Sequence, residues 1–384
     1  MLVKLPLGSE FYTADGKLRD DLKYSINFDE LKIRDSKIIG KPEDKFETML
    51  FLPVGEGRKG EGGLRTRGYF KFSYKYIDKD WFICDIEGNP LKPAPVDIQE
   101  KINSYIASLP EDVRHKMTEL PLITVITVVL NGEKYLEQTI QSVINQTYPN
   151  VEYIIIDGGS TDGTLDIIKK YEDEIDYWVS ERDKGISDAF NKGITTALGE
   201  IIGIINADDW YELNAVNIVV AQFLDKRVDV VHGMLRYWYK ADKTELFFGN
   251  DALLFKEMTI NHPTTFVSSK CYKRFGLFRE DFRCAMDYEW LLRVKINGAT
   301  FLYINQVIAN MRSSGKSDSQ WRQALYEVAK AKSLHLPNTK MHFFYFFYQI
   351  IKRSIRILLE WLRLHFIIRF YHANFSLVKK RFLN

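Results

Sequence analysis

Two adjacent carboxylates, Asp208 and Asp209, follow directly on an apolar run in the stretch GIINADDW (203–210). Neighbouring like charges repel each other, and a carboxylate is rarely buried without a cation or a metal ion beside it. Carboxylate oxygens suit Mg²⁺ or Mn²⁺, which take one or two of them together with the phosphates of a substrate. A bare Asp-Asp pair is more often an acidic turn or a helix cap, so the surroundings of the pair must decide.

Polar residues also follow the other apolar runs of this part of the chain. Runs at 123–130, 151–156, 177–179 and 200–205 are typical of buried strands, and stretches with helical spacing separate them. The residues after these runs are Asn131, Asp157, the segment 181–184 and the Asp208–Asp209 pair. Taken singly, Asn131 and Ser160 are better explained as helix caps. Four successive strands that end in polar groups nevertheless favour a site, because ligands of such sheets bind at the carboxyl ends of the strands.

The alternation of strand and helix predicts an α/β fold whose mostly parallel sheet is covered by helices on both faces. We expect three parts: a β-rich accessory module over 1–118, the α/β domain over 119–318, and a helical tail over 319–384. A helix is predicted near 97–108, just before the α/β domain.

Composition excludes several classes of protein. The chain has 384 residues, of which 46% are hydrophobic, so it can bury a large core. Its three cysteines are too few and too scattered for a disulfide framework or a zinc site, which weakly favours a reducing cytosol. The start MLVKLPLGSE lacks the apolar stretch of a signal peptide, and no run reaches the ~18 apolar residues of a membrane span.

Three spaced motifs carry a resemblance to a known family. They are TVVLNGEKYLEQTIQSVINQTYPNVEYIIIDGGSTDGT (127–164), SERDKGISDAFNKGI (180–194) and GEIIGIINADDWY (199–211). These motifs closely resemble the family 2 inverting glycosyltransferases, which have the GT-A fold, and in particular bacterial enzymes that build surface polysaccharides. The resemblance extends from 121 to about 315, roughly half of the chain.

The resemblance implies a nucleotide-sugar donor, usually a UDP-sugar, and the residues that bind it. The implied donor-binding residues are Val128, Leu130, Asp157, Asp183, Lys184, Asn206, Asp208 and His262. Asp157 would hydrogen-bond the base, while Asp183 and Lys184 would contact the nucleotide or the sugar. His262 would bind a phosphate or the metal, although an ordinary structural histidine is an equal alternative.

The resemblance also implies a metal site and a general base. Asp208 and Asp209 match the end of the family's Asp-x-Asp metal motif, and Asn206 stands where the leading acid usually is. An amide accepts a hydrogen bond but brings no charge, so Asp209 is the main expected ligand of Mn²⁺ or Mg²⁺, and Asp208 is shared with the ribose or sugar. Asp287 matches the base that inversion needs, with Glu289 as second choice. A helix N-cap is the ordinary alternative for Asp287.

The tail is strongly basic and amphipathic. From 340 to 384 there are nine basic residues and one acid, a net charge of +8 (9 − 1), although the whole chain carries only +2. Within 341–375 the polar residues recur every three or four positions, as expected of a helix in a membrane interface with its cations toward anionic lipids. They are Gln349, Lys352, Arg353, Arg356, Glu360 and Arg363. A helix packed on the catalytic domain or on a second copy is the alternative.

Two loops could bind anions. The glycine-rich loop at 55–68 contains four cations that could hold an acceptor diphosphate, but a flexible hairpin explains it equally well. The segment 312–317, which includes Lys316, is expected to be a mobile loop whose cations cover the leaving diphosphate, or else a solvated linker.

These features together predict a metal-dependent inverting glycosyltransferase that acts on a glycan or lipid-linked glycan. We expect it in the cytoplasm, peripherally bound to the inner face of the cell membrane, with a homo-oligomer as a candidate assembly. The alternative is a nucleotide-sugar-binding partner protein that has lost catalysis. A dehydrogenase is disfavoured because no Gly-x-Gly-x-x-Gly follows the first strand, and nucleic-acid binding is not expected because the tail is too apolar.

Overall fold

The computed structural model describes residues 33–34, 48–85, 88–114, 117–226, 228–240, 243–313, 320–337, 339–362, 364, 366–367 and 370. The strands are β1 (Ile33–Arg34), β2 (Gly60–Gly62), β3 (Tyr69–Phe70), β4 (Ser73–Ile77), β5 (Asp80–Cys84), β6 (Pro90–Pro93), β7 (Glu119–Leu120), β8 (Ile123–Val129), β9 (Val151–Asp157), β10 (Tyr177–Ser180), β11 (Ile201–Asn206), β12 (Trp210–Tyr211), β13 (Val230–Lys240), β14 (Lys243–Phe247), β15 (Phe266–Ser268) and β16 (Phe301–Arg312). The α-helices are α1 (Val96–Ser108), α2 (Glu111–Arg114), α3 (Leu136–Ile144), α4 (Thr164–Lys170), α5 (Ile186–Thr196), α6 (Ala215–Lys226), α7 (Ser269–Phe275), α8 (Met286–Ile296), α9 (Trp321–His335) and α10 (Thr339–Trp361).

A large central sheet organises the described part of the chain. Its strand order is β12-β16-β13-β15-β11-β8-β9-β10-β2, and β14 pairs with β13 at one side. The four strands β11, β8, β9 and β10 run parallel to one another. Helices cover both faces, so the predicted α/β fold class with its mostly parallel sheet is confirmed.

The alternation of side chains along β8 explains why helices cover both faces. Val125 belongs to one apolar core, with α3 and α6, whereas the next residue, Ile126, belongs to a second core, with α5 and α8. Successive strand residues point to opposite faces, so a strand that is apolar throughout must be covered twice. All seven residues of β8 are buried.

The elements predicted in this region lie close to where the structure has them. The strands expected at 123–130, 151–156, 177–179 and 200–205 are β8, β9, β10 and β11, and the helix expected near 97–108 is α1. The expected caps are wrong. Asn131 lies five residues before α3 with a φ of 54°, and Ser160 lies four residues before α4. Their side chains instead connect the loops after β8 and β9, because the Ser160 hydroxyl accepts from the Asn131 N–H and the Asn131 side chain accepts from the Thr161 N–H.

The N-terminal part is joined to the central sheet. Strands β4 to β7 form a separate antiparallel sheet in the order β6-β5-β4-β7, but β2 pairs with β10 at the edge of the central sheet. Arg65 is buried, and it forms an ion pair of 2.6 Å with Glu152 on β9. The division of the chain at residue 118 stays a prediction.

The C-terminal part is helical as far as it is described. Helix α9 packs on α8 and α10 packs on α9, with Tyr326 against Phe346 at a ring distance of 6.3 Å. Among the described residues, no helix is long and apolar enough to cross a membrane.

Candidate active site

The carboxyl ends of the parallel strands lie side by side. In the sheet register Asn206 is opposite Val128, and Asp157 lies between Val129 and Ser180. The predicted polar residues therefore meet at one edge of the sheet. Strand β16 is parallel to β13 and ends at the same edge with Arg312, whose strand neighbour Asn310 pairs with Trp210 just after the Asp208–Asp209 pair.

Asp209 is the most unusual group at this edge. It is 1% exposed, and among the described residues neither of its carboxylate oxygens has a hydrogen-bond partner. Burial, and then the charge of Asp208, raise the pKa of Asp209 well above its usual value, although the backbone N–H and the charge of Arg312 and the amide of Asn206 oppose the shift. The amide oxygen of Asn206 also lacks a partner. A buried carboxylate whose oxygens accept no hydrogen bond is stabilised when a cation binds beside it.

Arg312 is the first cation of the segment 312–317, which the sequence assigned to the leaving diphosphate, and the structure places it at the end of β16. Its guanidinium lies between two aromatic rings, 4.2 Å from the ring centre of Tyr135 and 4.4 Å from that of Trp210. It donates to the backbone carbonyl of Asp208 and to the side chain of Gln138. The expected mobile loop thus begins as the end of a strand, and Lys316 lies outside the described residues.

The donor set fits a divalent ion that shares its ligands with a phosphate group. Asp208 is half-buried, and burial raises its pKa while Arg312 opposes the shift. No cluster of three or more histidine, cysteine or acidic residues suited to a metal occurs in the part of the chain that the structure describes. Mg²⁺ and Mn²⁺ need only one or two carboxylates when a substrate's phosphates complete the coordination. Asp209 and Asp208 meet that requirement, and Asn206 adds an oxygen.

Asp157 holds the loop after β9 in place. Its buried carboxylate accepts hydrogen bonds from the Ser160 backbone N–H at 3.1 Å, from the Ser160 hydroxyl, and from the Ser180 hydroxyl at 2.5 Å. The Asn131 side chain accepts from the Thr161 N–H at 2.8 Å and so ties the loops after β8 and β9 together. The contact between Asp157 and the base stays a prediction.

The remaining donor residues occupy different depths. Val128 is buried in the core, whereas Leu130 is 58% exposed at the rim. Asp183 accepts a hydrogen bond of 2.9 Å from the Gly185 N–H, and burial raises the pKa of Asp183. It also reaches the loop after β9, where a side chain at Gly158 would collide with it. Lys184 is exposed at the same turn, so Leu130, Asp183 and Lys184 are open to a ligand and Val128 is not.

Asp287 is the second residue of α8, and other elements fix the start of that helix. The Ser187 hydroxyl of α5 donates to the Phe282 carbonyl at 3.0 Å, which brings the start of α8 next to the start of α5 at the site edge. The Glu327 carboxylate accepts from the backbone N–H groups of residues 283–285 at 2.8–3.0 Å. Burial raises the pKa of Asp287 to about 6.

Glu289 and His262, which the sequence also proposed for the site, both lie among partners inside the protein. Glu289 is completely buried, ion-paired with Arg293 at 3.0 Å and hydrogen-bonded to His335 at 2.7 Å, so it cannot reach a substrate. His262 stacks on Phe190 with ring centres 5.0 Å apart, and burial lowers the pKa of His262 to about 4. His262 is therefore neutral at physiological pH, and its place just before β15 puts it near the end of β11.

Comparison with known proteins identifies the family. The profile of glycosyl transferase family 2 matches residues 124–285. An uncharacterized glycosyltransferase of Mycobacterium tuberculosis is 31% identical over 199 residues, which are 47% of this chain and 71% of that protein. The chain belongs to glycosyl transferase family 2. The resemblance drawn from the sequence motifs is therefore confirmed. The family 2 match includes Asp157, Asp208 and Asp209 but ends two residues before Asp287.

Other relatives match over part of their length. An uncharacterized glycosyltransferase of Rickettsia typhi is 30% identical over 198 residues, which are 48% of this chain and 62% of that protein. The chain thus spans less than two thirds of this relative. The solved structure of Staphylococcus aureus TarS in complex with UDP is similar with a TM-score of 0.44 and 18% identity, over 58% of this chain and 68% of that chain.

Proposed function

We propose that this family 2 protein transfers a sugar, with inversion, from a nucleotide sugar to a hydroxyl group of a glycan or lipid-linked glycan. A UDP-sugar is the proposed donor. The observation that carries the proposal is the buried Asp209 carboxylate, which has no partner among the described residues and lies at the sheet edge beside Asp208 and Arg312. Such a group costs free energy unless a cation binds there, and the diphosphate of a nucleotide sugar brings that cation with it.

Asp209 and Asp208 would hold Mg²⁺ or Mn²⁺, and this ion, when bound, would neutralise the diphosphate as it leaves. Arg312 adds a permanent positive charge at the same edge, because a guanidinium stays protonated in proteins. Its two aromatic neighbours and its bond to the Asp208 carbonyl fix the orientation of that charge. A cation held in place before the reaction stabilises developing negative charge at no reorganisation cost.

Asp287 is the proposed general base. Its pKa of about 6 leaves it mostly ionised at pH 7 and still basic enough to take a proton from an attacking hydroxyl. The acceptor oxygen then forms a bond to the anomeric carbon on the face opposite the leaving diphosphate, and the proton passes to Asp287. One displacement of this kind inverts the configuration, and no glycosyl-enzyme intermediate is formed.

A thermal-shift panel of nucleotide sugars with Mn²⁺ tests the donor. The true donor should raise the midpoint of unfolding of the wild-type protein, since a ligand that binds only the folded state stabilises it. The Asp287→Asn variant should show the same shift but no sugar transfer. Equal turnover by Asp287→Asn and the wild type would remove Asp287 as the base.

We also propose that helix α10 lies on a membrane surface. Its apolar side chains point away from the protein, with Phe344 75% and Trp361 78% exposed, and others recur between them at helical spacing. Lys352, Arg353 and Arg356 are half-buried, so they are less exposed than the aromatic face, and their contact with anionic lipids stays a prediction. An apolar outer face with cations along its border is typical of interfacial helices.

Vesicle flotation tests this surface on the full chain. Replacing Phe344 and Phe347 by aspartate should abolish binding to vesicles that contain phosphatidylglycerol, because both side chains are exposed on the outer face. The matched control replaces Val96 and Phe255 by aspartate, because these two apolar side chains are exposed but lie outside α10. Binding that both pairs of changes leave intact would refute the membrane proposal.

A further inference from the structure

Residues 51–62, here named the strap, run along β10 outside the region that the family profile matches. We propose that the strap is a positioning element of the donor site, which fixes the two loops that contact the base and the sugar. The inference rests on the proposed function, since it assigns a role to a segment that lies beside the proposed donor pocket. It concerns binding of the nucleotide rather than the chemical step.

The strap is attached to the outer edge of the sheet by main-chain and side-chain bonds. Its end, β2, pairs antiparallel with β10, and the Leu52 N–H donates to the Tyr177 hydroxyl at 3.0 Å. The same hydroxyl donates to Glu61 at 2.6 Å. Glycines permit this close approach: a side chain at Gly62 would collide with Glu172 and with the ring of Trp178.

Glu181 connects the strap to the loop after β10. Its carboxylate is 3% exposed and accepts from the Gly55 N–H at 3.0 Å, from Arg58 Nε at 2.7 Å, and from Lys192 Nζ at 2.8 Å. A Cβ at position 55 would collide with this carboxylate, so a larger residue there would displace Glu181 from its bonds to the strap. One residue further on, the Arg182 N–H donates to the Glu56 carbonyl at 3.2 Å. The strap thus holds the backbone directly before Asp183 and Lys184.

Lys59 connects the strap to the loop after β9. Its backbone N–H donates to the Ser180 carbonyl at 2.7 Å, and its ammonium group donates to the carbonyls of Gly159 at 2.9 Å and Ser160 at 2.7 Å. Ser160 and Ser180 are the two residues that hydrogen-bond the Asp157 carboxylate. One lysine therefore fixes both neighbours of the proposed base-binding residue from the outside.

The cations of the glycine-rich loop are consequently already engaged. Arg58 binds Glu181, Lys59 binds the two carbonyls, Arg65 binds Glu152, and Arg67 binds Asp173 at 2.6 Å. The expectation that this loop binds an acceptor diphosphate is therefore not supported, and the flexible hairpin is also wrong. The cations of the strap bind the loops after β9 and β10, and they hold those loops in place beside the proposed base pocket.

Lys59→Gln tests the inference, because Lys59 is exposed and its loss should leave the fold intact. Calorimetry with Mn²⁺ should show the Kd for UDP about tenfold higher than in the wild type, since two charge-assisted bonds to the loop are lost. Binding of inorganic pyrophosphate, which lacks a base, should be unchanged, and Lys59→Arg should restore most of the affinity. The matched control is Arg67→Gln, which removes a cation of the glycine-rich loop outside the strap, from an exposed ion pair, and should bind UDP as the wild type does.

The outcomes separate this inference from the proposed function. A Kd for UDP within twofold of the wild type in Lys59→Gln overturns the role of the strap, and so does an equal loss of pyrophosphate binding. A wild-type protein that binds none of UDP, GDP, ADP and CDP contradicts the proposed donor instead, and the strap inference then falls with it. In turnover assays the expected pattern is a raised KM for the donor with kcat changed less than about threefold.

Discussion

Replacing Asp209 by asparagine should make the ligand-free protein more stable. The Asp209 carboxylate is 1% exposed, with no hydrogen-bond partner among the described residues, and burial raises its pKa well above the usual value. The amide of an asparagine carries no charge and can donate to the Asn206 oxygen, which also lacks a partner. Removing the charge of a buried carboxylate whose burial outweighs the opposing charge of Arg312 should stabilise the fold by about 1–3 kcal/mol at pH 7.

The stability difference between Asp209→Asn and the wild type should depend on pH. An acid whose pKa is higher in the folded than in the unfolded state binds more protons when folded, so the wild type loses stability as pH rises from about 4 toward the folded pKa. The loss is at most about 1.4 kcal/mol for each pH unit in that window. The advantage of Asp209→Asn over the wild type should therefore grow with pH and then level off.

Urea unfolding in EDTA at several pH values measures the difference. Asp281→Asn is the matched control, because Asp281 is ion-paired with Arg279 and Lys330, which lower its pKa. Its loss should cost up to about 1 kcal/mol. With UDP and Mn²⁺ at about 100 times Kd the wild type should gain ~2.7 kcal/mol and Asp209→Asn almost nothing. An Asp209→Asn protein that is less stable than the wild type in EDTA would refute the reasoning.

Three further changes have defined outcomes. The kcat of the wild type should fall about tenfold per pH unit below pH 6 as Asp287 becomes protonated, and Asp287→Asn should lower kcat by ~10²–10⁴ with the donor Kd within about threefold. Arg312→Gln should raise the Kd for UDP in the presence of Mn²⁺ at least tenfold, as measured by calorimetry. The Kd of Arg312→Lys should lie between those of Arg312→Gln and the wild type, because lysine keeps the charge but loses the stacking between the two rings. Arg65→Met should destabilise the protein by about 3–5 kcal/mol in urea unfolding, because it leaves the buried Glu152 without its cation.

Periodicity predicted the sheet and its polar edge because both depend on local sequence. Apolar runs define the four parallel strands, and the residue after each run must lie at the carboxyl edge. The sequence assigned Arg312 to a mobile loop, whereas it ends a strand, because its position depends on the pairing of β16 with β13 and β12, which are far apart in sequence. The glycines of the strap looked flexible for the same reason, since the carboxylate of Glu181 that accepts from the Gly55 N–H is 126 residues away.

The tail shows which part of a pattern can be predicted. The spacing of Lys352, Arg353 and Arg356 predicted one polar stripe on a helix, and α10 has it. Which side of the helix meets the protein depends on α9, whose Lys332 lies 4.0 Å from the ring centre of Tyr345. A helical period fixes the relative positions of side chains, but it does not determine which face a neighbouring helix covers.

The central claim is inverting transfer from a nucleotide sugar, and the configuration of the released sugar tests it most directly. The wild-type protein is incubated with Mn²⁺ and UDP-sugars of α configuration, with water or a simple glycoside as acceptor, and the first product is observed by NMR before mutarotation. The account predicts a β-configured product that Asp287→Asn does not form. An α-configured first product, or equal release by Asp287→Asn, would contradict it.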